Sequence, residues 1–201
     1  MNALAFHPAG NLLASGGYRV VKLWRRADVE KKKTLASKIS GSVPVVSPDG
    51  KWLAVAEEKN QTGLWSIVEG KRLRGLEKPQ PPVKGLAFSA DSKRLVTGAE
   101  DGSVRLWNIA DGKLVVETKH EQAAGAVASL GEDGKWFASA HADKIVRIWE
   151  LPAENGGEVK MHKELKGHTG DVTALVPLPN DPKQIVTGAV PYTHLRAHET
   201  K

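Results

Sequence analysis

An all-β fold of four-stranded antiparallel blades, a β-propeller, is predicted by three observations. Four tryptophans, Trp24, Trp65, Trp107 and Trp149, follow one another at intervals of 41, 42 and 42 residues, and a period of roughly 40 to 45 residues is that of a propeller blade. Three of them close short strand-like runs, Val21-Lys22-Leu23-Trp24, Val104-Arg105-Leu106-Trp107 and Val146-Arg147-Ile148-Trp149. The 20 glycines and 11 prolines among 201 residues supply the turn punctuation that many short strands need.

Aligned on the tryptophans, each unit offers an apolar first strand, a tight turn, a second strand, another turn and a third strand ending in Trp. The units run over about 1–27, 28–69, 70–111, 112–153 and 154–190, giving about five partial blades. Ser47-Pro48-Asp49-Gly50 is built for a type I turn, because proline presets φ at the second position and glycine suits the fourth. His7-Pro8-Ala9-Gly10, Ser89-Ala90-Asp91-Ser92 and Gly131-Glu132-Asp133-Gly134 hold the matching places. The second strands read Leu13-Ala14-Ser15-Gly16, Leu53-Ala54-Val55-Ala56, Leu95-Val96-Thr97-Gly98, Phe137-Ala138-Ser139-Ala140 and Ile185-Val186-Thr187-Gly188. Bulky residues fill the layer between blades, and small ones permit close approach near an axis. Trp52 and Trp136, both in Gly-Lys-Trp contexts, fall at the starts of second strands, to cover a blade edge or anchor a partner.

The net charge of +6 raises the question of an acidic partner such as nucleic acid. The basic residues are scattered except for Arg25, Arg26 and Lys31 to Lys33 in one connection and Lys71, Arg72 and Arg74 in another, where solvated loops are the ordinary reading. Without cysteine there is no disulfide framework, thiolate metal site or thiol nucleophile. No signal-peptide pattern opens the chain, and no stretch approaches the ~20 apolar residues that span a bilayer.

The repeat closely resembles the WD40 family over about residues 2 to 189. The resemblance implies a polar network in each blade: a histidine before the first strand, Ser or Thr on the second, Asp in the next turn and Trp on the third. Thr97, Asp101 and Trp107 stand at matching offsets in the third unit, and Ser139, Asp143 and Trp149 in the fourth. In both the histidine is missing, with Pro79 and Ala123 near its place. His168 and Thr187 represent the fifth unit, Trp24 and Trp65 the first two. The family's terminal aspartate after Trp is replaced by Arg25, Ser66, Asn108 and Glu150.

Ile185 predicts a fifth Trp near position 197, where the chain instead reads Pro191 to Lys201 with no matching pattern. Residues 191–201 are expected to be a foreign or disordered tail, and the chain a fragment of a seven-bladed, bacterial-type propeller. Reading the genomic locus through both ends tests this. His194 and His198 are four apart, but Leu195 stands where a zinc peptidase motif needs glutamate, so no metal site is expected.

No catalytic constellation or cofactor site is recognisable. Glu57, Glu58, Glu100 and Asp101 lie at or near turns, where solvated charge is expected. The resemblance implies a non-catalytic scaffold for protein partners, presented on the rim next to the Asp turns. Candidate contacts there are Tyr18, Arg19, Glu58, Glu100, Ala142, Thr169 and Asp171. Two alternatives stay open: an accessory propeller of a larger bacterial enzyme or c-type haem protein, and nucleic-acid binding through basic loops. Localisation is cytoplasmic as written, or periplasmic if a signal and haem domain lie upstream. Exposed edges of a truncated array would favour self-association.

Overall fold

Every tryptophan of the 42-residue beat sits opposite a large apolar residue of the preceding strand. The pairs are Leu13 with Trp24, Leu53 with Trp65, Leu95 with Trp107 and Phe137 with Trp149. The computed structural model describes residues 3–6, 12–17, 20–25, 31–36, 44–57, 61–76, 81–130, 135–151, 158–178, 181–190 and 196–199. Nineteen strands are present among them and no helix.

They form five antiparallel sheets, each a simple meander. The first comprises β1 (Ala3–Phe6), β2 (Leu12–Gly17), β3 (Val20–Arg25) and β4 (Lys31–Ala36). The second holds β5 (Val45–Val46), β6 (Trp52–Glu57), β7 (Gln61–Ser66) and β8 (Lys71–Gly75). In the third are β9 (Val83–Phe88), β10 (Arg94–Ala99), β11 (Ser103–Asn108) and β12 (Leu114–Lys119). The fourth contains β13 (Ala124–Leu130), β14 (Trp136–His141), β15 (Val146–Glu150) and β16 (Lys160–Leu165). The fifth has β17 (Asp171–Leu178), β18 (Asp181–Val190) and β19 (Arg196–Glu199). First strands of successive sheets touch, β1 to β5, β5 to β9, β9 to β13 and β13 to β17, which is the blade-after-blade arrangement of a propeller.

A strand places alternate residues on opposite faces, so each sheet has a tryptophan face and a small-residue face. The tryptophan face of one sheet packs on the small-residue face of the sheet before it. Leu53, Val55 and Trp65 meet Ala14 and Leu23, whereas Leu95 and Trp107 meet Ala54, Ala56 and Leu64. Phe137 and Trp149 meet Val96, Val104 and Leu106. In the fifth sheet Ile185 and Leu175 meet Ala138, Ala140 and Ile148. The pairing of third and fourth strands shifts register immediately before Trp24, Trp65, Trp107 and Trp149. A bulge there sharpens the local twist, which suits a blade.

Sequence units and sheets are offset by one strand. The residues that open a unit form the outermost strand of the preceding sheet, so Lys31 to Lys33 lie on β4 and Lys71, Arg72 and Arg74 on β8. Lys31 to Lys33 and Lys71, Arg72 and Arg74 therefore belong to outer strands, not to loops as their composition suggested, while Arg25 ends β3 and Arg26 lies outside the described residues. The Ser47 and Ser89 turns close as expected, with Gly50 N–H donating to Ser47 C=O (2.9 Å) and Ser92 N–H to Ser89 C=O (2.9 Å). The matching turns at 7–10 and 131–134 lie outside the described residues. Arg196–Glu199, within the segment expected to be foreign or disordered, pairs with β18, and His198 stands opposite Ile185 at the register that tryptophan holds elsewhere. Trp52 and Trp136 are half-buried at the starts of β6 and β14 and pack against the second-to-third and fourth-to-fifth interfaces. Trp136 also meets His162 edge-on at 4.8 Å.

Candidate partner-binding rim and the polar networks beneath it

A tryptophan buried between sheets needs an acceptor for its indole N–H, and the sheets meet that need differently. Trp24 Nε1 donates to Ser15 Oγ (2.8 Å), Trp107 Nε1 to Thr97 Oγ1 (3.1 Å) and Trp149 Nε1 to Ser139 Oγ (2.7 Å). In the fifth sheet the expected pair forms, His168 Nε2 lying 2.6 Å from Thr187 Oγ1.

The second sheet has Val55 where the others have a hydroxyl, and Glu57, two residues on and on the same strand face, replaces it. Its Oε1 accepts from Trp65 Nε1 (3.1 Å), and its carboxylate takes a two-pronged ion pair from Arg72 of β8 (2.9 to 3.1 Å). Glu57 is only 9% exposed, which corrects its assignment as a solvated turn charge. Glycines make the room: a Cβ at Gly63 would fall 2.0 Å from Glu57 Oε1, and one at Gly75 2.8 Å from Arg72 Nη2. The absence of a hydroxyl from Leu53-Ala54-Val55-Ala56 was the sequence signal that Trp65 must find another acceptor. Glu57→Ala is expected to cost about 2 to 3 kcal/mol through an orphaned indole and a broken ion pair, and Glu57→Gln less. Gly63→Ala should destabilise the native chain yet be tolerated beside Glu57→Ala, a non-additivity that a urea-titration cycle measures.

The fourth sheet was read as lacking a histidine, but His141 supplies one from the end of its own second strand. With Ser139 Oγ accepting from Trp149, its hydrogen is directed to His141 Nε2 (2.8 Å), and Nδ1–H of His141 donates to the carbonyl of Gln122 (3.1 Å). That chain ties β14 to the connection entering β13. Ser139 and His141 resemble a nucleophile and base only in type, since they are 0% and 2% exposed and no substrate reaches them. Burial pushes the His141 imidazole below its ordinary 6.5, with Arg147 and His120 acting in the same direction and Gln122 and Asp143 opposing. The unfolded chain therefore binds a proton that the folded chain refuses just below pH 6.5, so this share of stability is complete above that pH and is lost as pH falls below it. His141→Gln is expected to flatten the dependence of the urea midpoint on pH between about 7.5 and about 5.

Each Asp turn is locked from within. Asp101 accepts from the Ser103 amide (3.0 Å) and hydroxyl, with Arg105 Nη2 at 3.8 Å, and Arg105 reaches Glu117 at 2.8 Å. Asp143 accepts from the Ile145 amide (3.1 Å) and takes both arms of Arg147 (2.6 and 3.2 Å), while Arg147 Nη2 also meets Glu164 (3.1 Å). Burial opposes the charge on both aspartates, but these hydrogen bonds and cations outweigh it and hold both carboxyls below the usual range. Gly102, at φ +82°, occupies a conformation suited to glycine, and a Cβ there would lie 1.9 Å from His120 C=O.

The described rim candidates stand on this frame. Glu100 is exposed, its amide bonded to Pro82 C=O (2.9 Å) and its carboxylate 3.7 Å from Lys84. Ala142 is exposed with its amide on Ala123 C=O (3.0 Å). Thr169 and Asp171, also exposed, lead into β17. Tyr18, Arg19 and Glu58 lie outside the described residues. At the opposite end of the sheets, a cleft of about 550 Å³ between the second and third sheets is lined by Trp52, Ile109 and Val115 with Asp49, Asp91 and Arg94. Among the described residues no cluster of three metal-ligating side chains occurs and no helix is long and apolar enough to cross a membrane.

The family model of the WD domain, G-beta repeat, matches residues 1–25, 70–108 and 112–150, more than half of the chain. The chain belongs to the WD40-repeat family. No curated protein matches it. The unmatched stretch 26–69 includes β5 to β7 and the residues Val55, Glu57 and Gly63, the part of this WD40 chain whose tryptophan uses a carboxylate. WD40 repeats are commonly interaction scaffolds and typically non-catalytic.

Proposed function

We propose that this chain is a non-catalytic scaffold that binds protein partners through the rim at its Asp turns. The observation that supports this reading most is the division of labour at the rim. Asp101 with Arg105 and Asp143 with Arg147 hold two of the turns from inside, leaving Glu100 and Ala142 exposed on them, while Thr169 and Asp171 are exposed where the chain enters β17 beside the bond of His168 to Thr187. A preorganised loop loses little entropy on binding, and a few such side chains carry most of the energy of an interface.

Affinity capture with the immobilised chain, repeated with Glu100→Lys and Asp171→Lys, tests the reading. A specific protein should be retained by the parent chain and lost at least about tenfold by a rim variant. The unfolding free energy of Glu100→Lys should move by less than about 0.5 kcal/mol. Retention indifferent to every rim substitution would contradict the proposal. Binding of nucleic acid that collapses between low and moderate salt would favour the charge-based alternative. Against that alternative, Arg72 and Arg74 of the basic β8 already bond Glu57 and the Ala110 carbonyl.

A further inference from the structure

Between the third and fourth sheets the rim is crossed by residues 120–123, the connection from β12 to β13. One residue of it, Gln122, is gripped by two imidazoles through its backbone. Its N–H donates to His120 Nδ1 (3.3 Å), and its C=O accepts from His141 Nδ1–H (3.1 Å). The two rings meet at 4.9 Å between centres, tilted by 59°. Two further bonds depend on the same connection: His120 N–H donates to Gly102 C=O and Ala142 N–H to Ala123 C=O, both at 3.0 Å. The connection therefore joins the Asp101–Gly102 turn of one sheet to the turn that carries Ala142 on the next.

This grip requires neutral rings. An imidazolium donates from both nitrogens and accepts at neither. A proton on His120 would set an N–H against the Gln122 N–H. One on His141 would set an N–H against Ser139 Oγ, which lies 2.8 Å from Nε2, and leave the hydroxyl hydrogen of the fully buried Ser139 without its acceptor. Burial is the largest effect on His141 and pushes it below its ordinary 6.5; Arg147 and His120 act with burial and Asp143 against it. Glu164 stands behind Arg147, and Glu121 is exposed in the connection. On the third sheet Asp101 has Arg105 at 3.8 Å and Lys119 at 3.9 Å, with Glu117 on Arg105. On the other side of β14 the fifth sheet carries Asp171 and His168.

We propose that residues 120–123 form a proton-sensitive latch between the third and fourth sheets, closed while His120 and His141 are neutral and released when the pair takes up a proton. The closed latch refuses a proton that the open one accepts, so opening is favoured as pH falls below the ordinary histidine value. His120 is half-buried and Gln122 exposed, which gives solvent access to the pair. Release loosens the rim beside Ala142. The device belongs to the connection itself and stands whether or not a partner binds at the rim.

Hydrogen exchange of the full chain, followed by NMR at the His120 and Ala142 amides between about pH 7.5 and about pH 5.5, tests it, with rates referred to those of unstructured peptides. Protection of both amides should fall about three- to tenfold over that range, tenfold being the limit set by one imidazole that returns to its ordinary value on opening. Low urea should leave these two rates unchanged while accelerating those of β10, the mark of a local opening. His120→Asn puts an acceptor that does not titrate in the place of Nδ1 and should reduce the fall. Adding His141→Asn, whose amide can still donate to Gln122, should abolish it. Protection independent of pH overturns the proposal, as does a fall in His120→Asn as large as in the parent, a criterion that holds even if His141→Asn fails to fold. So does a urea dependence equal to that of β10, which would place the titration in global unfolding.

Discussion

Trp107→Ala is expected to lower the unfolding free energy by about 3 to 5 kcal/mol, from the cavity left by a large side chain and the loss of its hydrogen bond. Trp107 is 0% exposed, stands between Leu95 on its own sheet and Leu64 on the preceding one, and gives its N–H to Thr97. Removing it empties the layer between the second and third sheets, and the alanines facing it, Ala54 and Ala56, are too small to fill the gap. Trp107→Phe should recover much of the packing and remove only the indole N–H donated to Thr97. A urea titration of the three proteins separates the two contributions. A loss no larger than that of Glu100→Lys would contradict the placement of Trp107 between sheets.

The second large effect is expected at Arg147, which is 3% exposed between Asp143 and Glu164. Arg147→Met keeps much of the apolar stem but leaves two carboxylates facing each other without their shared cation. A loss of about 2 kcal/mol follows from the broken charge-assisted hydrogen bonds of a buried guanidinium, less than for a fully buried pair because both carboxylates are partly exposed and Glu164 keeps Lys166 at 2.9 Å. Neutralising the carboxylates as well, with Asp143→Asn and Glu164→Gln, should restore a large part of it, because the cost lies in the orphaned charge. The buried Nε of Arg147 has no hydrogen-bond partner, which already makes this arginine a less than perfect fit. Failure of the neutralised triple variant to recover any stability would show that Arg147 acts through packing alone.

The beat of tryptophans, the turns and the second strands were legible because they sit where burial is greatest and tolerates few residue types. The outer strands were not. β8 is exposed along much of its length, so no apolar pattern marks it and its basic residues read as a loop, and no residue of β12 is fully buried. Glu57 and His141 were missed for a different reason. Residues two apart on a strand share a face, so a longer side chain two positions on can reach the place that a short hydroxyl occupies. The network is thus satisfied by geometry, and reading fixed offsets finds only its commonest form. Gly63 and Gly75 become intelligible only once Glu57 and Arg72 are placed against them.

The rim was legible by position only. Glu100 and Ala142 lie on the turns beside Asp101 and Asp143, as the repeat predicted, but exposure alone does not distinguish a contact residue from a solvated one. What the three-dimensional arrangement adds is the internal bracing of the turns, which depends on Arg105 and Arg147 reaching back from the third strand to the turn and across to the fourth.

Hydrogen exchange of the six indole N–H groups, followed by nitrogen-edited NMR, tests the central claim most directly. The account predicts slow exchange for Trp65, Trp107 and Trp149, whose N–H groups are bonded between sheets, and somewhat faster exchange for the half-buried Trp24. Trp52 and Trp136, which cap second strands, should exchange fastest, and Glu57→Gln should shift the Trp65 indole alone. Six indoles exchanging at one common rate would contradict the assignment of tryptophan-faced blades held by an acceptor in each sheet.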